Sequence, residues 1–325
     1  MRIAVTGATG FIGSHIAECL CAAGHEVSVL ARSPERLAAI RHLPVKVAYG
    51  DLDRGDPPMD LTTGQDVVVH AAGLTLAKNR DEFLRVNVGT SVRLIESALA
   101  CSPGLRRFVY ISSQAAMGPS PAGGALDEDA PRRPISLYGE SKALAEDELA
   151  RFADRVPITF VRPPWVYGPR DKHTLSYFTL AAHGVRLVVG PRSRYSIVHA
   201  ADLAQGIRLA AESTVPGARA YFFTDGEGRT IEELSQVIAD ATGRRTVRLP
   251  VPVAAVAVVA AANELAGAIV GRPPFIGWRK LGEVRNPCWV VSDRRAREEL
   301  GYRPARSTER GMAETAAWYR AEGWL

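Results

Sequence analysis

Over the first half of the 325-residue chain, short apolar runs alternate with longer stretches in which apolar residues recur at helical spacing. The runs Ile3–Val5, Glu26–Leu30, Val45–Ala48, Val67–Val69, Phe108–Ile111 and Thr159–Val161 predict strands. Between them, Phe11–Ala22, Pro34–Arg41, Asp81–Ala100 and Tyr138–Phe152 predict helices; in the first, Ile12, Ile16 and Leu20 share one face. Apolar strands alternating with helices imply a parallel sheet covered on both sides, a doubly wound α/β fold. Gly118–Pro134, rich in Pro, Gly and Ala and carrying Asp127-Glu128-Asp129, reads as a surface loop.

Beyond Arg162-Pro163-Pro164 the rhythm changes. The chain divides into a sheet-bearing domain over 1–162, with return segments from about 196–224, and a smaller, mostly C-terminal α/β domain over 163–325. Arg186–Val189, Ser196–Val198 and Ala220–Phe223 predict short strands. Asp202 and Asp293 read as helix caps, Thr230 with Glu233 as a capping box, and Ser307–Arg320 as a final capped helix. Leu249–Asn263 carries no charge but is 15 residues long and holds two prolines. A membrane span needs roughly 20 apolar residues, so no span is expected. A buried helix is the first reading, and contact with a hydrophobic substrate or a membrane surface the other.

Composition adds little. With 46% hydrophobic and 23% charged residues the chain reads as an ordered globular protein. A net charge of +5 suits a small anionic ligand. No Lys/Arg block resembles a nucleic-acid footprint, and Arg244-Arg245 and Arg294-Arg295 read as solvated faces. Cys19, Cys21, Cys101 and Cys288 form neither a C-x-x-C pair nor a zinc spacing, so no metal is expected. A first strand beginning almost at Met1 makes a reducing cytoplasmic compartment the expected one.

The candidate chemistry lies in two places. The first strand runs into Gly7, Gly10 and Gly13, where a tight turn and a helix start can bring backbone N–H groups to a pyrophosphate. The spacing is G-x-x-G-x-x-G rather than G-x-G-x-x-G. The second place is FVYISSQAAMG (Phe108–Gly118) read with LYGESKALAEDEL (Leu137–Leu149). A strand ends in Ser112-Ser113, at the edge where such folds place their chemistry. Tyr138 and Lys142, four residues apart, share one helix face. A nearby ammonium favours the phenolate, and a serine hydroxyl can hold a substrate oxygen while the phenol gives or takes the proton. This serves proton transfer at a carbinol or carbonyl carbon, coupled to hydride transfer by a nicotinamide.

These residues together resemble the extended short-chain dehydrogenase/reductase family (the NAD(P)-dependent epimerase/dehydratase superfamily), nearest its 3β-hydroxysteroid-dehydrogenase-like and dihydroflavonol-reductase-like branches. The resemblance runs through essentially the whole chain. It implies a Rossmann fold with a smaller, mostly C-terminal substrate domain, and a homodimer through the helices Asp81–Ala100 and Tyr138–Phe152. It implies that TGATGFIG, with Gly7, Thr9, Gly10, Phe11, Ile12 and Gly13, is the cofactor loop, and that Asp51 and Leu52 flank the adenine. Ala71, Ala72 and Gly73 of HAAG would line the cofactor, and Pro163 would lie beside the nicotinamide. The catalytic set it implies is Ser113 (the second serine, five residues before Gly118), Tyr138 and Lys142, with Asn87 of VNVGT supporting the centre. Arg194 and Tyr195 are placed like substrate-side residues, and His173 and His183 are weaker candidates for that role.

Cofactor choice follows from the end of the second strand. A carboxylate there binds a ribose 2′-OH, whereas an arginine accommodates a 2′-phosphate. Arg32 and Ser33 occupy that turn, so NADP is expected, with NAD as the alternative. For the reaction, Ser113-Gln114-Ala115 lacks the carboxylates of a dehydratase, and Met117 stands where many sugar epimerases have Tyr. The C-terminal pattern, Ile276–Tyr302 followed by Thr308–Leu325, resembles the 3β-hydroxysteroid-dehydrogenase-like and dihydroflavonol-reductase-like branches. That resemblance, with the apolar Leu249–Asn263, favours interconversion of a secondary alcohol and a ketone on a fairly hydrophobic small molecule. The alternatives are a nucleotide-sugar epimerase using the same triad and a non-catalytic NADP-binding regulator.

Overall fold

The computed structural model describes residues 1–190, 193–226, 228–252, 254–258, 261, 263, 286 and 288–325. In its first half the chain forms β1 (Arg2–Thr6), α1 (Phe11–Ala22), β2 (Glu26–Ala31), β3 (Lys46–Tyr49), α2 (Met59–Thr62), β4 (Val67–His70), α3 (Arg80–Phe83), α4 (Thr90–Cys101), β5 (Arg107–Ile111), α5 (Leu137–Ala150) and β6 (Ile158–Val161). There follow β7 (Trp165–Tyr167), α6 (Lys172–Ala182), β8 (Val185–Val189), β9 (Arg194–Tyr195), β10 (Ile197–His199), α7 (Ala200–Glu212), β11 (Ala218–Tyr221), β12 (Arg229–Thr230), α8 (Ile231–Thr242), β13 (Val247–Val251) and β14 (Cys288–Trp289). The helices Arg294–Leu300 and Thr308–Ala321 complete the described elements.

Seven strands make one sheet in the order β11-β6-β5-β4-β1-β2-β3, every neighbouring pair parallel. Strand periodicity sends alternate residues to opposite faces. Ile3 and Val5 of β1 meet Ile16 and Leu20 of α1 and Leu203 and Ile207 of α7. Ala4 between them meets the opposite layer, with Leu94 and Ile95 of α4 and Ala145 and Leu149 of α5. The chain leaves β1 toward β2 and β3, then returns to β4 and proceeds toward β5. That reversal opens a crevice beyond the C-terminal ends of β1 and β4, the place where open α/β sheets bind ligands. A second core of Phe178, Leu234, Ile238, Met312 and Tyr319 unites α6, α8 and the last helix.

Several local expectations are corrected. Pro34–Arg41 yields only the 3₁₀ turn Pro34–Leu37, which has no buried residue to hold a helix face. The single helix expected over Asp81–Ala100 is α3, a π-helical segment Leu84–Gly89, and α4. Thr230 and Glu233 do form a capping box on α8. Asp202 does not cap α7; the His199 ring does, accepting from Ala201 N–H at 3.2 Å. Asp202 is buried and ion-paired to Arg306 at 2.8 Å, a tertiary partner stronger than a local amide. Asp293 likewise makes no cap bond and pairs with Arg297.

The stretch 118–134 is not wholly surface. Leu126 bridges Val291, and Glu128 is buried, accepting from Phe222 N–H at 3.0 Å and facing Arg295. Arg295 is thereby taken out of the solvated face expected for it. Leu249–Asn263 opens as strand β13 against β8, with Leu249 44% and Val258 71% exposed, so its described part is not a buried helix. Positions 253, 259, 260 and 262, with 276–285 and 287 of the C-terminal pattern, lie outside the described residues. Among the described residues no helix is long and apolar enough to cross a membrane.

Candidate active site

The glycine loop is shaped by close backbone approach. Gly7 has φ +75°, and a Cβ there would lie 2.7 Å from the Ala71–Ala72 backbone, so the loop after β4 sits directly on it. A Cβ on Gly13 would lie 2.0 Å from the Gly7 carbonyl oxygen, which lets the first turn of α1 lie against the loop. Gly10 stands at the N-cap of α1 and supplies no side-chain cap. The first-turn N–H groups therefore face outward with the helix dipole behind them, suited to a pyrophosphate. Phe11 packs edge-on to His15, Ile12 against the core, and Thr9 is half-buried in the same turn.

The second wall of the crevice carries the polar residues. Asn87 is buried in the π-helical segment; π-bulges within helices frequently mark functional sites. Its Oδ1 accepts from Leu74 N–H at 2.8 Å, and its Nδ2 donates to the Leu74 carbonyl at 3.0 Å and to Ser141 Oγ at 2.9 Å. Ser141 donates in turn to the Tyr138 carbonyl at 2.7 Å. Gly73 closes the corner, for a Cβ there would come within 3.0 Å of Asn87 Oδ1 and 3.3 Å of Lys142 Nζ. Asn87, Gly73 and Lys142 are thus brought together from three separate elements.

Helix α5 starts at the Ser136 cap, whose hydroxyl accepts from Gly139 N–H at 3.1 Å. Tyr138 sits in its first turn with its ring 6.1 Å from Phe83, and Lys142 follows one turn on. A Cβ on Gly139 would lie 2.2 Å from the Ala115 carbonyl oxygen, so the helix start abuts the 3₁₀ turn that follows Ser113. Ser113 Oγ accepts from Ala115 N–H at 3.1 Å, which leaves its proton to donate. The Pro163 carbonyl accepts from Gln114 N–H at 2.9 Å, bringing that segment to the same turn.

Lys142 is buried, donating to the Ile111 carbonyl at 2.8 Å and to Tyr110 Oη at 3.1 Å. Burial pulls its pKa down to about 7, opposed by the Glu146 carboxylate one turn on. Glu146 is clamped by Arg162, whose Nε and Nη2 reach it at 3.0 and 2.6 Å, and by Ser112 Oγ at 2.5 Å. His70 is fully buried between Thr6 Oγ1 (2.6 Å) and Ser91 Oγ (2.9 Å); burial, then the Lys142 charge, takes its pKa down to about 3. It stays neutral and ties β1 to α4. Sequence reasoning missed Tyr110, Ser141, Glu146, Arg162 and Gly139. Of these, Gly139 and Ser141 stood inside the Tyr-x-x-x-Lys motif itself.

Other expected residues lie further out. Asp51 is half-buried and accepts from Asp53 N–H, while Leu52 is buried with its carbonyl held by Arg93. Tyr195 packs edge-on to Trp165 at 5.9 Å, and Arg194 donates to the Gly228 carbonyl. His183 bonds back to the Thr179 carbonyl within its own helix end, and His173 starts α6 beside its Asp171 cap. Arg32 is exposed and fixed by no hydrogen bond or ion pair among the described residues. Ser33 hydrogen-bonds the Glu35 carboxylate, which this bond holds below its usual range.

The model of the NAD dependent epimerase/dehydratase family matches residues 3–221. The chain belongs to that family. Its type of enzyme is an NAD(P)-dependent dehydrogenase/reductase of the extended short-chain class, working by hydride transfer with a tyrosine-containing motif on a small molecule. The chain is 32% identical to a ceramide reductase of Caulobacter vibrioides over 99% of its own length and 96% of the relative's. It is 29% identical to a 3-beta-hydroxysteroid dehydrogenase of Mycolicibacterium neoaurum, covering 98% and 91%. Among solved structures, MoeE5 in complex with UDP-glucuronic acid and NAD aligns with a TM-score of 0.76 at 25% identity, covering 99% of this chain and all of that one.

That complex carries NAD, and the expectation of NADP is corrected. The turn after β2 gives the physical reason. The phosphate pair expected there is not assembled: Arg32 points into solvent, and the Ser33 hydroxyl is engaged by a carboxylate that would repel a 2′-phosphate.

Proposed function

We propose that this enzyme moves a hydride between NAD and a hydroxyl-bearing carbon of a small molecule, with Tyr138 as acid/base. What supports this reading most is one corner of the crevice, where Lys142 Nζ, one helical turn from Tyr138, lies against Gly73 and Asn87. NAD, when bound, supplies the hydride acceptor and donor. The first-turn amides of α1 with Gly10 would hold its pyrophosphate, in a loop that Gly7 and Gly13 let pack closely on itself, with Gly73 beside Lys142. Asp51 and Leu52 would flank the adenine, and Ala71, Ala72 and Pro163 would line the remainder.

In the oxidative direction Tyr138 takes the hydroxyl proton as hydride leaves the carbon; in reduction it returns that proton to the oxygen. The Lys142 ammonium favours the phenolate and would donate to ribose hydroxyls. Ser113 donates its proton to the substrate oxygen. Asn87 positions the helix through Ser141. A homodimer and a cytoplasmic location, which the family resemblance and the cysteine pattern suggest, belong to this proposal.

Two substrate readings divide the comparisons. The ligand-bound structure, holding UDP-glucuronic acid beside NAD over the whole chain length, backs the nucleotide-sugar epimerase more directly than the hydrophobic alcohol or ketone. The full-length relatives, a ceramide reductase and a steroid dehydrogenase, keep the hydrophobic reading as the second. Incubating the enzyme with NAD and UDP-glucuronic acid, and separately with NAD and a long-chain secondary alcohol or with reduced NAD and the corresponding ketone, separates them. An epimerase inverts the sugar with no net reduced nicotinamide, whereas a dehydrogenase changes the nicotinamide absorbance in step with substrate. In either assay Tyr138→Phe should lose about 10²–10⁴-fold in rate, with NAD affinity retained. A Tyr138→Phe enzyme turning over at the wild-type rate would overturn the proposal.

A further inference from the structure

We propose that Tyr110 is a positioning residue for Lys142: its ring and hydroxyl, with the Ile111 carbonyl, form the seat that holds the lysine ammonium in the Gly73–Asn87 corner. The inference rests on the assignment of Lys142 to the site, but its test reads the lysine directly, so each can fail alone.

Tyr110 lies near the end of β5 and is completely buried, its ring fixed between His70 at 5.7 Å and Phe160, edge-on, at 6.5 Å. Lys142 arrives from α5, and its Nζ stands 4.6 Å from the Tyr110 ring centroid and 3.1 Å from Oη. No carboxylate lies within ion-pair distance of it among the described residues. A buried ammonium without an anion needs other acceptors, and an aromatic face with two oxygens provides them. Packing alone would accept phenylalanine at 110. The hydroxyl does more, accepting from Lys142 and donating toward the Asn87 carbonyl at 3.4 Å. It therefore connects the lysine to the segment carrying Asn87.

The ionisable groups facing Lys142 come from three elements. Glu146 and Tyr138 lie on its own helix, His70 on β4 and Tyr110 on β5. Glu146 favours the ammonium but is shared with Arg162, and His70 is neutral. Burial keeps Tyr110 itself a phenol, able both to accept and to donate. Lys78 of the loop after Gly73 is exposed, and Arg85 of the segment holding Asn87 is exposed and pairs with Asp53.

The chain has five lysines, so labelling lysine with ¹³C at Cε gives a spectrum in which Lys142 is assigned by its loss in Lys142→Met. In the wild type the Lys142 signal should be displaced by the ring current and titrate near pH 7, as its lowered pKa of about 7 requires. Tyr110→Phe should keep the ring displacement and lower the midpoint by about half a pH unit, one acceptor being lost. Tyr110→Leu should abolish the displacement and lower the midpoint by about one unit or more. If Tyr110→Leu fails to fold, the Tyr110→Phe midpoint decides. An unmoved midpoint in Tyr110→Phe, or a wild-type Lys142 signal at the position of an exposed lysine, would overturn the proposal.

Discussion

Helix α5 buries two charged side chains one turn apart, and the protein treats them differently. Glu146 is held by a bidentate Arg162, the Ser112 hydroxyl and, more distantly, Arg132 at 3.8 Å. Lys142 receives only neutral acceptors, a carbonyl and a phenol, with an aromatic ring alongside. Arg162 also donates to the Glu128 carbonyl, and Glu128 faces Arg295, so the rear of the helix is tied into the later part of the chain. The front is tied only to the crevice. Breaking a buried pair leaves an uncompensated charge and is costly, whereas a buried charge held by neutral groups stays responsive to whatever approaches it. The rear of α5 therefore anchors the helix, and the front is available for chemistry.

The sharpest way to break this contrast is to remove the anchor. Glu146→Gln leaves the Arg162 guanidinium buried without its counter-charge, and loss of one partner of a buried pair costs about 3–5 kcal/mol. Urea unfolding should show that loss, and the variant should also lower the Lys142 midpoint, since the carboxylate raises it. A stability change below about 1 kcal/mol, the range of surface pairs, would show that the rear network anchors nothing.

The front end makes an opposite, pH-dependent prediction. The Lys142 pKa falls from 10.5 to about 7 on folding. Between those values the unfolded chain binds the extra proton, so folding stability rises with pH across that window and is flat below it. Lys142→Met removes the linkage. The variant should be more stable than wild type at pH 6, and its advantage should shrink as pH rises through 7 toward 10. Parallel curves for the two proteins would mean that Lys142 stays charged when folded, like a paired residue. Ser112→Ala is the mildest probe: it removes one of several bonds to Glu146 and should cost about 1–2 kcal/mol with little effect on the Lys142 midpoint.

The sheet was legible because its strands are apolar on both faces and because glycines punctuate the first turn. The observed β1, β2, β4, β5 and β6 differ from the predicted runs by one or two residues at their ends. Pro34–Arg41 was misread because its apolar residues do reach the core, with Ile40 buried and Leu37 and Ala39 packed beside it, but through a 3₁₀ turn and further turns rather than a helix face. The site was legible only in part. The Tyr138-to-Lys142 spacing shows in the sequence, since four residues along a helix always return to one face. The partners that distinguish Lys142 from Glu146 do not, because Tyr110, Arg162 and Ser112 come from other elements at separations of 16 to 34 residues.

By itself the sequence determined what depends on local geometry: strand and helix periodicity, the glycine turn, the Thr230 capping box and the phase of Tyr138 with Lys142. Only the tertiary structure decided which buried charge meets a counter-charge, why Asn87 sits in a π-helical segment facing Ser141, and that Asp202 and Asp293 pair with arginines instead of capping helices. The physical reason is the same throughout. Backbone propensity acts over a few residues, whereas the energy of a buried polar group is set by whichever partners the packed fold brings within hydrogen-bond distance.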